Sequence, residues 1–266
     1  MNRKPAFGAL RAVVNQQFTL LWRYPVNMVA NFLLALVTVI VVTWVVVIFS
    51  PPGEQTRLRD ITFYGFIMYL FLSHTLWSIG VGVYRERMAG TLAAVYLSPV
   101  PPYVNLAGRA IVTLGWTAAA AGLGMLAVRA ATGPLPVYRP GEAALVLVLA
   151  VLQLVGLGVA VAGLALWFGD SIEIVANVLE FGLMGLCAFF YPFAILPPPL
   201  MAVARFIPLS YAVDAFRTVA LGSNQPELAP LPLELGLALA GAAASLAAGY
   251  LVYKGCEYRV RQQGML

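Results

Sequence analysis

Six runs of mostly apolar residues alternate along this chain with short segments that hold most of its charge. A helix that crosses a bilayer needs about 20 such residues. The runs are Val26–Ser50, Ile61–Tyr84, Leu106 to about Ala131, Ala143–Phe168, Ile172 to about Leu196, and Leu233–Tyr253. Six crossings return the chain to the side on which it began. Between the last two runs, Leu200–Leu221 is also largely apolar, but it holds Arg205, Pro208, Asp214 and Arg217. Charges within a membrane are costly, so this stretch predicts short helices that dip into the outer leaflet rather than a seventh span. Pro197-Pro198-Pro199 and Pro208 break it, and the re-entrant segment is bounded at 197–222. Irregular backbone at that depth must be buried in protein or line a wet cavity.

Residues 1–24 have a different pattern. Phe7, Leu10, Val14, Phe18 and Leu21 recur at helical spacing, with Arg3, Lys4, Arg11 and Asn15 largely elsewhere. This predicts an amphipathic helix lying in the inner interface. Arg11, Asn15, Gln16 and Gln17 interrupt any apolar core, so the segment does not read as a cleavable signal peptide. Residues 25–266 then form one transmembrane domain without a repeat of fixed period.

Composition agrees with the pattern. The chain is 61% hydrophobic and only 10% charged over 266 residues, where a soluble domain carries about a quarter charged residues. The fold class expected is therefore an all-α integral membrane protein of six transmembrane helices. The net charge of +5 bears on orientation before it bears on nucleic acid, because cytoplasmic loops collect Lys and Arg. With the N-terminus inside, the inner segments hold Arg3, Lys4, Arg11, Arg23, Arg85, Arg87, Arg109, Lys254, Arg259 and Arg261. The outer segments hold Arg57, Arg59, Arg129, Arg139, Arg205 and Arg217. Both termini are expected to be cytoplasmic. Arg exceeds Lys by 14 to 2, in keeping with a GC-rich bacterial genome and its cytoplasmic membrane. Cys187 and Cys256 fall at different depths, which argues against a disulfide.

Enzyme signatures are missing. His74 is the one histidine, which removes H-E-x-x-H metal sites and four-ligand zinc sites built on Cys and His. There is no G-x-x-x-x-G-K-[ST] to cradle nucleotide phosphates; ATP-driven work would need another polypeptide. What remains is a polar connection between the second and third runs, residues 85–109. Arg85-Glu86-Arg87 marks the membrane exit, Gly90-Thr91 can open a short helix with Thr91 as cap, and Leu92, Val95 and Tyr96 share an apolar face. Ser98-Pro99 and Pro101-Pro102 stop it.

This connection resembles the loop of ABC-2 type transporter permeases, the membrane subunits of ATP-driven exporters. In that family an Arg/Glu pair, a Gly-Thr-Leu and a downstream Ser-Pro-Val recur; here they are Glu86-Arg87, Gly90-Thr91-Leu92 and Ser98-Pro99-Val100. The acidic residue often found after Gly-Thr-Leu is Ala93 here. A second hallmark precedes the last span: Pro197, then Pro208-Leu209-Ser210-Tyr211, then Arg217. Phe189 is bulkier than the small residue usual upstream. The resemblance implies that residues 85–98 form a coupling helix seated in a separate ATPase subunit, with Arg85, Glu86, Arg87, Gly90, Thr91, Leu92 and Tyr96 at the contact. It also implies two permeases, as a homodimer or with a different half, and two ATPases. ATP and Mg would sit on the ATPases, with no cofactor in this chain, and the export path would lie between the permeases. The family's substrates are drugs, lipids, glycolipids and polysaccharide carriers.

Two stripes are candidates for the path. In the fifth run Glu173, Asn177, Glu180, Met184 and Cys187 follow one helix face, and an intramembrane acid such as Glu180 faces a bundle interior or a cavity. In the second, Phe63, Phe66, Ile67, Leu70, His74 and Trp77 share a face. Such a stripe serves either ordinary packing or an aromatic wall for a greasy substrate; His74 fits best as a hydrogen-bonding bridge between helices. Asp214 and Arg217 stand at i, i+3 and can pair. Small residues at Gly115, Ala119, Gly122, at Gly156, Gly163, and at Gly236, Ala240, Ala244 predict close helix packing. The rival class, an ion-gradient-driven carrier, would call for inverted repeats and midplane ion ligands, of which only Glu180 is present.

Overall fold

The computed structural model describes residues 3–23, 25–98, 101–222 and 226–262, and these contain no strand. Helix α1 (Arg3–Arg23) leads into α2 (Pro25–Phe49). After the Pro51–Glu54 turn, α3 (Gln55–His74) runs through a π-helical turn, Thr75–Gly80, into α4 (Val81–Met88). The short α5 (Leu92–Leu97) precedes two long helices, α6 (Pro102–Thr132) and α7 (Pro140–Phe168). Then come α8 (Ile172–Leu186), α9 (Pro198–Ala204), α10 (Pro208–Leu221) and α11 (Leu231–Gln262).

By length and composition five helical runs can cross a membrane, or six if the bent pair α9–α10 counts as one. One of the five, Pro140–Leu186, has 47 residues, about 70 Å if straight and twice the hydrocarbon thickness. It is two crossings. The chain reverses at Gly169, whose φ of +60° suits glycine. Arg87 at the end of α4 bonds the Leu166 carbonyl near the end of α7 (3.1 Å), so α7 runs alongside α3–α4. Trp77 bonds Glu180 halfway along α8, and Thr62 near the start of α3 bonds the Phe190 carbonyl (3.1 Å), so α8 runs back against them. The six candidate crossings are thus α2, α3–α4, α6, α7, α8 together with the backbone that follows it, and α11. Both ends of the described chain lie at one end of the bundle, here the terminal end.

Helices α7 and α11 form the most extensive pair. Gly156 lies against the backbone at Ser245 and at Gly249, and Gly163 lies against Tyr253. Without side chains at the crossing the helices approach to backbone contact, which serves where lipid supplies no hydrophobic drive to associate. The other two small-residue stripes differ from expectation. Gly115, Gly122 and Gly236 have no neighbour within 4 Å of a would-be Cβ, and Ala119, Ala240 and Ala244 are exposed. They face outward because α6 and α11 bury only one side each.

Helix α1 packs on the first half of α6, with Val13 and Leu10 against Gly108. Leu10 and Val14 are half-buried and Arg11 and Asn15 exposed, as the periodicity requires, but Phe18 is exposed. The side chains of Phe7 and Leu21, like those of Arg3 and Lys4, lie outside the described residues.

The fifth span is shorter than the run Ile172–Leu196. Its helix ends at Leu186, and turns with a short 3-10 segment at Phe193–Ile195 follow. At about 22 Å, α8 alone does not cross the roughly 30 Å core, so non-helical backbone lies at membrane depth beside the re-entrant pair. Helices α9 and α10 meet at 95°. Pro208, at the first position of α10 where its missing N–H costs nothing, touches Gly241, about 15 Å down α11 from Leu231. Ala220 returns to the far end, where its carbonyl accepts the Tyr138 N–H at 3.1 Å.

Candidate functional site

The connection at 85–98 stands at the terminal end. After α4 the chain turns at Gly90, φ +69°, a conformation that strains any residue with a Cβ. Thr91 does not cap α5 with its hydroxyl as expected; N–H and Oγ1 both reach back to the Glu86 carbonyl, at 3.0 and 3.1 Å. The expected apolar face turns inward: Leu92 is buried and Val95 and Tyr96 half-buried. The Tyr96 hydroxyl meets that of Tyr253 at 3.0 Å, and Arg261 lies over its ring at 5.4 Å. Burial pushes the Tyr96 phenol above its usual range. The outward surface comprises Met88 (70% exposed), Leu97 (87%), Ala89, Gly90, Thr91 and Ala93. Pro99 and Val100, the end of the Ser-Pro-Val element, lie outside the described residues.

Above this loop a polar seam joins the second and third spans. On one side His74, Ser78, Gly82 and Glu86 recur every four residues; on the other stand Thr117, Thr113, Arg109 and Asn105. Four-residue spacing keeps each set on one helix face. His74 Nδ1 meets Thr117 Oγ1 at 2.8 Å, Ser78 Oγ meets Thr113 Oγ1 at 2.7 Å, and Thr117 Oγ1 donates to the Thr113 carbonyl at 2.8 Å. Arg109 forms an ion pair with Glu86 and donates from Nη1 to the Ser78 carbonyl at 3.1 Å. Asn105 Nδ2 approaches both Glu86 oxygens, at 3.3 and 3.4 Å. His74 is thus hydrogen-bonded from the second span to the third.

The two stripes meet at one bond. Trp77 Nε1 donates to Glu180 Oε2 at 2.6 Å, with Glu180 only 4% exposed and Arg85 stacked over the Trp77 ring at 5.7 Å. Phe66 packs with Tyr69 and Phe190, and Phe66 and Leu70 line a narrow cleft with Val39, Ala120 and Gly124. The rest of the α8 stripe is not gathered there. Glu173 is half-buried, and Asn177 is exposed and bonds the Glu173 carbonyl at 2.9 Å. Cys187 and Cys256 are free thiols.

Residues 8–221 match the ABC-2 type transporter family. The chain belongs to that family. No curated protein matches it. An ABC-2 permease is a transport component and not itself catalytic, and the apolar helices agree with an integral membrane protein. Among the described residues there is no group of three or more His, Cys, Asp or Glu able to hold a metal.

The re-entrant motif of this ABC-2 permease is built differently from the expected Asp214–Arg217 pair. Arg217, 5% exposed, donates to the carbonyls of Tyr191 (3.2 Å), Ala188 (2.6 Å) and Phe189. Asp214 accepts the N–H groups of Glu227 and Leu228, both at 2.8 Å. Each side chain is claimed by non-helical backbone, Arg217 by carbonyls just after α8 and Asp214 by N–H groups just before α11, and backbone polar groups in such segments need partners. Tyr211 closes the α9–α10 corner by donating to the Arg205 carbonyl at 2.9 Å, and Pro197 starts α9, its carbonyl taking the Met201 N–H at 2.9 Å.

Asn105, Arg109, Thr113 and Thr117 escaped the sequence reading. The signal was available: four polar residues at strict four-residue intervals in an otherwise apolar run. Arg59 and Asp60 also escaped it, assigned to an outer loop. They form a buried pair at 2.6 Å, and Arg59 holds the carbonyls of Thr132 and Pro134 at 2.8 and 3.1 Å.

Proposed function

We propose that this ABC-2 permease is the membrane subunit of an exporter for an amphipathic or hydrophobic substrate such as a drug, lipid, glycolipid or polysaccharide. It works as a homodimer with two separate ATPase subunits, which bind ATP and Mg. The observation that carries the reading is the family match across 8–221, since permeases of this family act with an ABC ATPase. The segment at 88–97, exposed at Met88 and Leu97, offers that ATPase a surface, and Arg85, Glu86 and Arg87 stand where movement would enter the bundle.

Orientation follows from charge. The connection at 85–98 and the basic end of α11 share one end of the bundle, and excess Lys and Arg mark the cytoplasmic side. Both termini are therefore cytoplasmic, in the cytoplasmic membrane of a bacterium. ATP binding at the partner shifts the population between two packed states, and the wall at Phe66, Leu70 and Trp77, with Glu180 beside it, is the part of the path this subunit supplies.

The test is affinity purification of the tagged chain, expressed from its own operon in mild detergent. A stoichiometric P-loop ATPase, identified by mass spectrometry and active in ATP hydrolysis, is the expected result. Its absence, repeated in lipid nanodiscs, refutes the reading and favours a gradient-driven carrier.

A further inference from the structure

We infer that Arg109 is a positioning residue for coupling: it ties the loop at 85–98 to the π-helical turn that carries Trp77. The inference rests on the reading of that loop as the ATPase-facing segment. Arg109 works from both ends of one rigid guanidinium, a geometry lysine lacks. One nitrogen pairs with the Glu86 carboxylate, which the loop itself grips, since the Glu86 carbonyl takes both the Thr91 N–H and its hydroxyl. The other donates to the Ser78 carbonyl inside the turn. The seam is shielded, with the Arg109 and Glu86 side chains 8% and 20% exposed, so water screens the pair little.

Two features make the turn a receptive target. Its register is shifted, the Val81 N–H reaching the Leu76 carbonyl five residues back, and single π-helical turns inside α-helices are frequent at functional sites. Gly82 leaves the room in which the guanidinium lies against the helix; a Cβ there would overlap it. Trp77 is one residue from Ser78 and holds Glu180 at 2.6 Å. Displacement of the loop therefore pulls Ser78 and moves the Trp77–Glu180 contact through backbone.

The experiment uses the permease with its co-purified ATPase in nanodiscs, and reads hydrogen–deuterium exchange with and without ATP and vanadate. Wild type, Arg109→Gln, Arg109→Lys and Gly82→Ala are compared. In wild type, nucleotide changes exchange both at 85–98 and at 75–82. In Arg109→Gln and in Gly82→Ala, which displaces the guanidinium without removing charge, the change at 85–98 persists and that at 75–82 is lost. Arg109→Lys falls between. The readout is the nucleotide-dependent difference, because loosened packing raises the basal rate without abolishing that difference. Arg109→Gln and Gly82→Ala complexes that keep the wild-type difference at 75–82 overturn the inference. A wild type with no nucleotide-dependent change at 85–98 overturns instead the reading of the loop, and the joint with it.

Discussion

Helix α11 offers an internal comparison, two Gly→Ala substitutions expected to have opposite signs. Gly249 is buried against the backbone of Gly156, whose carbonyl carbon would lie 2.9 Å from an added Cβ. Gly255, six residues further along the same helix, has nothing within 4 Å. In both cases alanine gains about 0.5–1 kcal/mol of helix preference over glycine. At Gly249 the obstacle is main chain, which cannot rotate aside, so α7 and α11 must separate and lose contact along their length. Overpacking of this kind costs about 1–3 kcal/mol, occasionally more, which leaves a net loss of up to about 2.5 kcal/mol after the helix gain. Gly255→Ala should instead be neutral or stabilising by up to about 1 kcal/mol. Thermal unfolding of each variant in nanodiscs, followed by size-exclusion fluorescence, checks both signs. Equal shifts in the same direction would refute the idea that backbone contact at Gly156 and Gly249 sets the α7–α11 distance.

Three further outcomes are expected. Glu180→Ala leaves the Trp77 indole N–H without its acceptor, a loss of about 1–3 kcal/mol, whereas Glu180→Gln keeps an acceptor and should lose less than half of that; identical melting of the two variants contradicts the assignment of the bond. Arg217→Ala strips donors from the carbonyls of Ala188, Phe189 and Tyr191, and the buried Phe189 acceptor left without its partner alone costs about 1–3 kcal/mol, so the protein should accumulate less as a monodisperse species, while Arg217→Lys is partly rescued. In a cysteine-free background, Glu227→Cys should be labelled by a membrane-impermeant maleimide from outside intact cells and Gln262→Cys only after permeabilisation; the reverse pattern inverts the proposed orientation.

The spans were legible because a bilayer imposes one length and one polarity, and both can be counted along the chain. The re-entrant segment was legible for the complementary reason: Arg205, Asp214 and Arg217 are too costly to place in lipid, and prolines punctuate it. Its inner wiring was not. The i, i+3 spacing puts Asp214 and Arg217 on one face of α10, but spacing along one helix is silent about which other segments end nearby with unpaired backbone. The missing partners were the carbonyls after α8, which ends at Leu186 rather than near Leu196, and the N–H groups at 227 and 228. Once those ends lie beside α10, pairing Asp214 with Arg217 would take the side-chain partners from the Phe189 and Tyr191 carbonyls and from the N–H groups at 227 and 228.

The loop at 85–98 separates two kinds of information that a motif carries. Gly90-Thr91-Leu92 located the connection, and the positive φ at Gly90 accounts for that glycine. Helical periodicity also grouped Leu92, Val95 and Tyr96 correctly as one face, but a face is apolar for either of two reasons, to meet a partner or to meet its own protein. Here Tyr96 reaches Tyr253 and Arg261, so that face anchors the loop to the end of α11, and Met88 and Leu97 remain exposed. A helix held only by its ends could rock against the bundle, whereas this one is clamped through Tyr96 to α11, and through Glu86 and Arg109 to α6 and the π-helical turn.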